Sequence, residues 1–406
     1  MTPANYKAPL KKNYDVVIIG GAIMGSSTAW FLKDNPDFKG SILVVERDPS
    51  YEKCGTNFSN SCIRLQFSEP LNVRISQFGA DFVKNIRRYM GGDERVPDLR
   101  IQNFGYLYLA NTDAGADVLR ECRDVQVALG AGTRILSASE IKSEYPFYEV
   151  DDLVAGSINT VDEGYWEGIT VFDWFKKVAR ERGAEYVPNA VVGLNKNTNG
   201  DRIESVTLAT GEIIVCGFVV NASGTRGSIT AKMAGIDIPV EPRKRMSYVF
   251  SAEKPLSQVL PLTIDPSGVH FRQDGKTNYI VGGHAEHDPV PDHDDFSSDP
   301  SLWEDFIWPT MAARIPQFEA VRVIREWAGH YDYNVLDQNA IIGPHTEIRN
   351  FLFMNGFSGH GLQQSPAMGR ATAEWIIYGE YRTLDMTPFS FQRIVENRPF
   401  LEKAII

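Results

Sequence analysis

The sequence predicts a mixed α/β protein in which a Rossmann-like dinucleotide-binding domain is interleaved with a discontinuous domain built on an antiparallel sheet. Three observations carry that expectation. Residues 14–46 read as strand, glycine turn, helix and second strand, with the apolar run Val16 to Ile19 falling straight into Gly20-Gly21-Ala22-Ile23-Met24-Gly25. Two later apolar strands, Phe218 to Ala222 and Phe351 to Met354, each deliver a glycine-bearing turn to the start of a helix. Between them, residues 238–284 change to short segments with the character of antiparallel strands.

Each part of the first unit has a mechanical reason. Gly20 permits the tight turn, Gly25 lets helix and strand pack closely, and free N–H groups at the start of the helix carried by Ser26 to Lys33 suit a pyrophosphate. The run Ile42 to Val45 ends on Glu46, an acid placed to take ribose hydroxyls. Ala22 departs from the GxGxxG pattern and puts a methyl where a diphosphate would come nearest. Arg47 to Gln66, rich in Ser, Asn and Gly, reads as a long loop that carries Arg64. Leu71 to Met90 is helical by the spacing of Val73, Phe78, Phe82, Ile86 and Tyr89, and Gly91-Gly92 ends it. Tyr106 to Ala110 is a strand, and Ala114 to Leu129 is a helix closed by Gly130.

A turn across Val161 to Val171 leads into a helix from Val171 to Arg182. Strands over Ala184 to Leu194 and Arg202 to Leu208 follow, joined by the hairpin signal Asn199-Gly200-Asp201. Asn221-Ala222-Ser223-Gly224 forms the second glycine turn and opens a helix near Ser228. Met246 to Ala252, Val269 to Arg272 and Asn278 to His284 are the antiparallel strands, the last two joined across Asp274-Gly275. Alternation pairs His270 with Arg272 on one face and Ile280 with His284 on one face, and leaves the register between the two strands open. Asp288 to Pro300 is an acidic, proline-bearing loop, and Leu302 to Arg314 is a helix that Pro309 should kink. The third turn, Asn355 to Gly361, precedes a helix from Ser365 to Tyr378 whose N-terminus favours an electron-rich group. Glycines around His360 mark a place where backbone meets a ligand.

Composition narrows the function. At 406 residues the chain suits about two domains, and 43% hydrophobic with 23% charged residues is ordinary for a globular protein. A net charge of -11 argues against nucleic acid or an anionic membrane as the main partner. Cys54, Cys62, Cys122 and Cys216 show neither metal spacing nor a disulfide framework, so no metal site is expected and a reducing, cytoplasmic setting is, with peripheral membrane attachment as the alternative. No stretch is apolar enough to span a bilayer, and residues 1–13 read as a loose leader.

With three glycine turns in this order, the chain resembles the D-amino-acid oxidase, sarcosine oxidase and glycine oxidase superfamily of FAD enzymes. The resembling segments are VVIIGGAIMG, ILVVERD, FVVNASG and GFSGHGLQQSPAMG, so the likeness runs nearly end to end. Residues 54–68, the stretch WAGHYDYNVLDQNAIIGP and the tail after Gly379 are similar to a subgroup that includes a mitochondrial FAD-dependent oxidoreductase-domain protein linked to respiratory complex I assembly. The resemblance implies an FAD-binding domain of residues 14–90, 150–239 and 325–406, and a substrate domain of residues 91–149 and 240–324. It implies cofactor contacts at Gly20, Ala22, Ile23, Met24, Gly25, Glu46, Arg47, Ser61, Val191, Ala222, Gly224, Gly356, Ser358, Gly359, His360, Gly361, Leu362 and Gln363. Covalent flavin in the family uses a late cysteine, whose place His330 takes here, or a histidine in the loop after the ribose acid, where this chain has none; noncovalent FAD is expected.

The reaction implied is oxidation of a small secondary or tertiary amine, such as an N-substituted amino acid, by hydride transfer to flavin N5. The protein must then hold the C–H over the flavin, keep the amine unprotonated and pair a carboxylate with a cation. Arg64 and Arg272 are the candidate cations. His284 is the candidate beside the amine by resemblance to the sarcosine oxidase histidine, and His270, Tyr331 and Tyr333 are candidates for the pocket wall. Two alternatives stay open: a 2-hydroxy-acid dehydrogenase, and a non-catalytic respiratory-complex assembly factor. Sarcosine oxidases place oxygen-activating lysines where Ile280 and Gln363 stand here, so a dehydrogenase using a quinone or electron-transfer protein is expected over an oxidase.

Overall fold

The computed structural model describes residues 5–284 and 287–403. As the fingerprint predicts, β1 (Asn13–Ile19) and β2 (Ile42–Glu46) flank a helix at Ile23–Asp34. The loop past β2 contains one helical turn, Gly55–Phe58, and the two-residue β3 (Cys62–Ile63). The helix expected to reach Met90 breaks into Pro70–Lys84 and Ile86–Tyr89. Asn85 is the breaker, its side-chain amide turned back onto the Asp81 carbonyl at 3.0 Å and carboxylate at 2.9 Å. Then come β4 (Tyr106–Ala110), a helix Asp113–Ala128, β5 (Arg134–Ser137), a short helix Ala138–Glu144, β6 (Ala155–Asn159), β7 (Gly164–Tyr165) and a helix Gly168–Glu181. Sequence reading missed β5 and β6.

The strand expected over Ala184 to Leu194 is two strands. β8 (Ala184–Pro188) runs parallel to β2, while β9 (Val191–Lys196) turns away to pair antiparallel with β10 (Ile203–Leu208). Asn189 makes the break: its N–H bonds the Glu46 carbonyl at 3.0 Å and its side chain reaches Thr210 Oγ1 at 2.6 Å. Residues expected to be loose lie along this edge, with the Lys7 N–H on the Pro188 carbonyl and the Leu10 N–H on Glu185 Oε1, at 2.9 and 2.7 Å. β11 (Ile213–Asn221) and a helix at Gly227–Lys232 complete the second glycine passage. β12 (Val240–Ala252), β13 (Leu262–Ile264), β14 (His270–Asp274), β15 (Asn278–Gly283), β16 (Val321–Asn334), β17 (Ile341–Pro344) and β18 (Phe351–Asn355) precede the last long helix, Gly361–Tyr378. The kink expected at Pro309 is a wide π-turn over Trp303–Ile307 ahead of the helix Trp308–Arg314, because Pro309 lacks an N–H and its ring crowds the carbonyl four residues back.

Two eight-stranded sheets organise most of these strands, and β3 pairs with β7 apart from them. The first runs β17-β18-β11-β1-β2-β8, with β10 and β9 appended to β11. β1 pairs in parallel with both β2 and β11, and its alternate residues serve two cores: Val16 and Ile18 face one, Val17 and Ile19 the other. That is why its sequence is a continuous apolar run. The second sheet runs β16-β12-β15-β14-β13-β4-β6-β5. Its outer face buries Tyr248, Phe250, Phe271, Tyr279 and Phe318 with Ile307 and Met311. β16 crosses residue 325 and β6 lies past residue 150, so the second sheet takes strands from both sides of the limits read from sequence.

The end of the chain is held by a buried ion pair. Arg393 bonds Asp337 through Nε at 2.7 Å and Nη2 at 3.1 Å, and its remaining N–H groups take the carbonyls of Phe389, Asn339 and Ala340. Both side chains are nearly inaccessible, at 3% and 0%. Arg393→Ala would strand the Asp337 charge, and we expect a loss of about 3–5 kcal/mol of stability, read as a fall in the urea midpoint. A loss below about 1 kcal/mol, the size of an exposed pair, would show that the tail is dispensable for the fold.

Candidate active site

The three glycine turns converge. A cavity of about 1100 Å³ is lined by Gly20, Ala22, Ile23 and Met24 from the first, Ala222 and Gly224 from the second, and Ser358, Gly359, His360, Gly361, Leu362 and Gln363 from the third. Glu46, Arg47, Ser61 and Val191 also line it. Gly20 has φ +99°, and a Cβ there would stand 2.3 Å from the Ala222 carbonyl oxygen, so the first two turns touch only because this residue is glycine. Gly25 and Gly356 are not on the wall. Gly25 lets the helix approach the Gly20 carbonyl, which a Cβ would meet at 1.9 Å.

At one end Glu46 accepts N–H bonds from Gly21 at 2.8 Å and Asp48 at 2.8 Å. Burial pushes its pKa up, and those two N–H groups hold it back. The Ile23–Asp34 helix beside it has no cap from its N-cap residue, Ala22, and its Ile23 N–H meets Thr56 Oγ1 only at 3.4 Å. At the other end Asp332, on β16, accepts the Gly356 and Phe357 N–H groups at 3.0 and 3.2 Å and fixes the third turn. Burial raises the Asp332 pKa to about 6.

Arg64 is buried where the third turn meets the loop after β2. Its backbone N–H donates to Gln363 Oε1 at 2.7 Å, its guanidinium donates to His360 Nε2 at 2.9 Å and to the Gln66 carbonyl, and its plane lies 3.9 Å from the Phe67 ring centroid. A guanidinium only donates, so His360 accepts at Nε2 and carries its proton on Nδ1. Burial and the arginine charge press the His360 pKa well below its usual value, keeping the ring neutral.

The inner face of the second sheet roofs the cavity. The register left open by the sequence is His270 opposite Gly282 and Arg272 opposite Ile280. His270 lines the cavity together with Tyr331, and burial lowers its pKa to about 4. Arg272 and Ile280 instead line a neighbouring cavity of about 490 Å³ behind the Phe58–Ser61 wall. There Arg272 bonds the Asn60 carbonyl at 3.0 Å and Asp274 at 3.1 Å. His284, one residue beyond β15, is on the described wall of neither cavity, and Tyr333 is likewise off both.

Sequence reasoning missed Arg245, Ser247 and Tyr106, all on the wall of the larger cavity. Arg245 is held by Asp288 through two 2.9 Å bonds. Extending the alternation of β12 by one residue before Met246 would have found it. The acidic loop also has a place. Asp294 bonds Arg226 at 2.7 Å and stands 4.0 Å from Arg47, Asp295 bonds Lys244 at 2.6 Å, and Phe296 stacks on His330 at 4.5 Å, so the loop lies across the cavity's side wall. His330 donates from Nε2 to the Asp295 carbonyl at 2.8 Å.

Comparison with known proteins gives this geometry a family. The FAD dependent oxidoreductase profile matches residues 15–375. The chain belongs to the FAD-dependent oxidoreductases. Similar to this oxidoreductase is the FAD-dependent oxidoreductase domain-containing protein 1 of Xenopus laevis, 35% identical over 97% of this chain and 85% of the relative. More distant is mouse mitochondrial sarcosine dehydrogenase, 25% identical over 97% of this chain and 42% of that protein. Among solved structures, L-proline dehydrogenase from P. horikoshii shares the fold with TM-score 0.82 at 24% identity, over 96% of this chain and 100% of that one. Among the described residues of this oxidoreductase no helix is long and apolar enough to cross a membrane.

The residues present fit FAD. An extended cavity larger than the about 300–1,000 Å³ usual for small ligands runs from an acid at a strand end, past an uncapped helix start, to a second uncapped helix start at His360. Glu46 would accept ribose hydroxyls, the first turn would take the pyrophosphate, and residues 358–363 would meet the isoalloxazine. Glu46→Ala should weaken FAD retention about tenfold or more with the fold intact, measured by reconstituting apoprotein with FAD. Retention equal to wild type would take Glu46 out of the ribose site.

Proposed function

We propose that this oxidoreductase oxidises a small amine that carries a carboxylate, such as an N-substituted amino acid, with FAD held noncovalently and a quinone or electron-transfer protein as acceptor. One observation carries the reading: the cavity that the three turns line also holds a buried arginine, Arg64, from the loop after β2, and a buried neutral histidine, His270, from β14. FAD, when bound, supplies the two-electron acceptor. Arg64 binds the substrate carboxylate and so orients the carbon next to nitrogen. His270, uncharged because burial holds its pKa near 4, can accept a hydrogen bond from the substrate amine. Tyr106 and Tyr331 close the roof against water. Sarcosine dehydrogenase, by its name, acts on an N-methyl amino acid, and its likeness over nearly all of this chain supports the substrate class.

The test is anaerobic bleaching of the bound flavin. N-substituted amino acids should remove the oxidised absorbance; bleaching only by 2-hydroxy acids, or by neither panel, would sink the proposal. Noncovalent binding is checked by acid precipitation. The His330 ring is stacked on Phe296 and bonded to Asp295, which supports its being a packing residue, and the yellow colour should stay in the supernatant.

A further inference from the structure

Glu163 lies outside the cavity wall and is fully buried. Its backbone is locked: its carbonyl accepts the Gly105 N–H at 3.0 Å, and Gly164 next to it has φ +141°, where a Cβ would stand 1.8 Å from the Gln102 carbonyl oxygen. The carboxylate is surrounded by donors. Oε1 accepts the Leu65 N–H at 2.6 Å and the Gln66 N–H at 3.0 Å, and Oε2 accepts the Gln66 side-chain amide at 3.0 Å. That amide is itself clamped, by Tyr106 O at 2.9 Å and, at its oxygen, by Ser157 Oγ at 2.7 Å. The Gln66 carbonyl then receives the Arg64 guanidinium.

We propose that Glu163 is a positioning residue: its carboxylate fixes the Leu65–Gln66 backbone so that the Gln66 carbonyl holds Arg64 in the cavity, and it thereby sets the affinity for a carboxylate ligand. This rests on the reading of Arg64 as the carboxylate-binding cation. Every hydrogen-bond partner found at the carboxylate is a donor, so the ionised form is the one the site satisfies. Burial pushes the Glu163 pKa to about 7, against the pull of Gln66, Leu65, Asn159 and Arg64. Protonation therefore places an O–H against these donors and loosens the segment that carries Arg64. The other titratable groups facing this region are Arg64, Cys62, Tyr106, Tyr108, His360 and Glu402. Burial raises Cys62, Tyr106 and Tyr108 and lowers His360, moving each away from neutrality.

The experiment titrates FAD-loaded protein with benzoate and, in parallel, uncharged benzamide, reading the perturbation of the flavin spectrum. Wild type should bind benzoate more weakly as pH falls from about 8 to about 6, through the Glu163 pKa, with benzamide unaffected. E163Q should weaken benzoate about tenfold at the higher pH and flatten the profile, and E163D should recover part of both. Arg64→Met separates the two ideas. If it binds benzoate like wild type, or wild type binds none, the carboxylate site itself fails and the role of Glu163 with it. If Arg64→Met loses benzoate while E163Q keeps the wild-type affinity and profile, the positioning role alone is overturned. Should E163Q not hold FAD, a flat wild-type benzoate profile over the same pH range overturns it.

Discussion

Reduced, FAD-loaded protein mixed with air-saturated buffer should recover its oxidised absorbance up to about a thousandfold more slowly than a competent amine oxidase. The first electron passed to oxygen makes superoxide, an anion, and a cation about 4 Å away at an effective dielectric near 20 stabilises it by about 4 kcal/mol. Each ~1.4 kcal/mol is about tenfold in rate. Apart from Arg64, the charged and titratable groups on the described wall are held neutral, matched by carboxylates or set to one side. Gln363 occupies the third turn, uncharged, with Oε1 engaged by the Arg64 N–H. His270 and His360 are held neutral by burial, and Arg245 is matched by the Asp288 carboxylate. Lys53, the one lysine on the described wall, lies over the Phe296 ring at 5.5 Å, on the side covered by the acidic loop. Ile280, where a lysine was sought by resemblance, is over the smaller cavity. Arg47 and Arg226 on the wall meet Asp294, and Arg64, beside the third turn, is the cation placed to serve. Recovery as fast as an oxidase would show that it does, and would end the case for a different electron acceptor.

Arg64→Met should raise KM for carboxylate substrates about a hundredfold, because removing one partner of a buried, hydrogen-bonded charge pair costs roughly 3 kcal/mol. Matched uncharged amines should change little, since Met keeps most of the packing against Phe67. Sequence reading gave Arg272 equal standing, and the structure separates the two. Arg64 lines the larger cavity and Arg272 the smaller one, where it bonds Asp274, the Gln273 carbonyl and the Asn60 carbonyl and stacks over Tyr165 at 5.2 Å. Arg272→Met should leave the acid-to-amine ratio of KM values near wild type. An equal loss on acids and amines in Arg64→Met would assign Arg64 to the flavin or the fold instead.

What the sequence by itself determined is local. A strand that must be buried on both faces needs a continuous apolar run, a turn with φ near +99° and a carbonyl 2.3 Å from any Cβ needs glycine, and an acid ends the second strand; all three are written within 33 residues, so the nucleotide end of the site was legible at Gly20, Gly25 and Glu46. The third turn was legible for the same reason. Only the tertiary structure decided which side chains meet at the other end. A one-residue difference in pairing moves a side chain to the opposite face, and the pairing of β15 with β12 and β14 is what sets His270 opposite Gly282 and Arg272 opposite Ile280. Arg64 and Arg272 look alike in sequence; one is drawn to the third turn by Gln363 and His360, the other to Asp274 and Asn60, by partners up to about three hundred residues away. Glu163 had no local signal at all, because its role depends on backbone N–H groups 97 and 98 positions earlier in the chain.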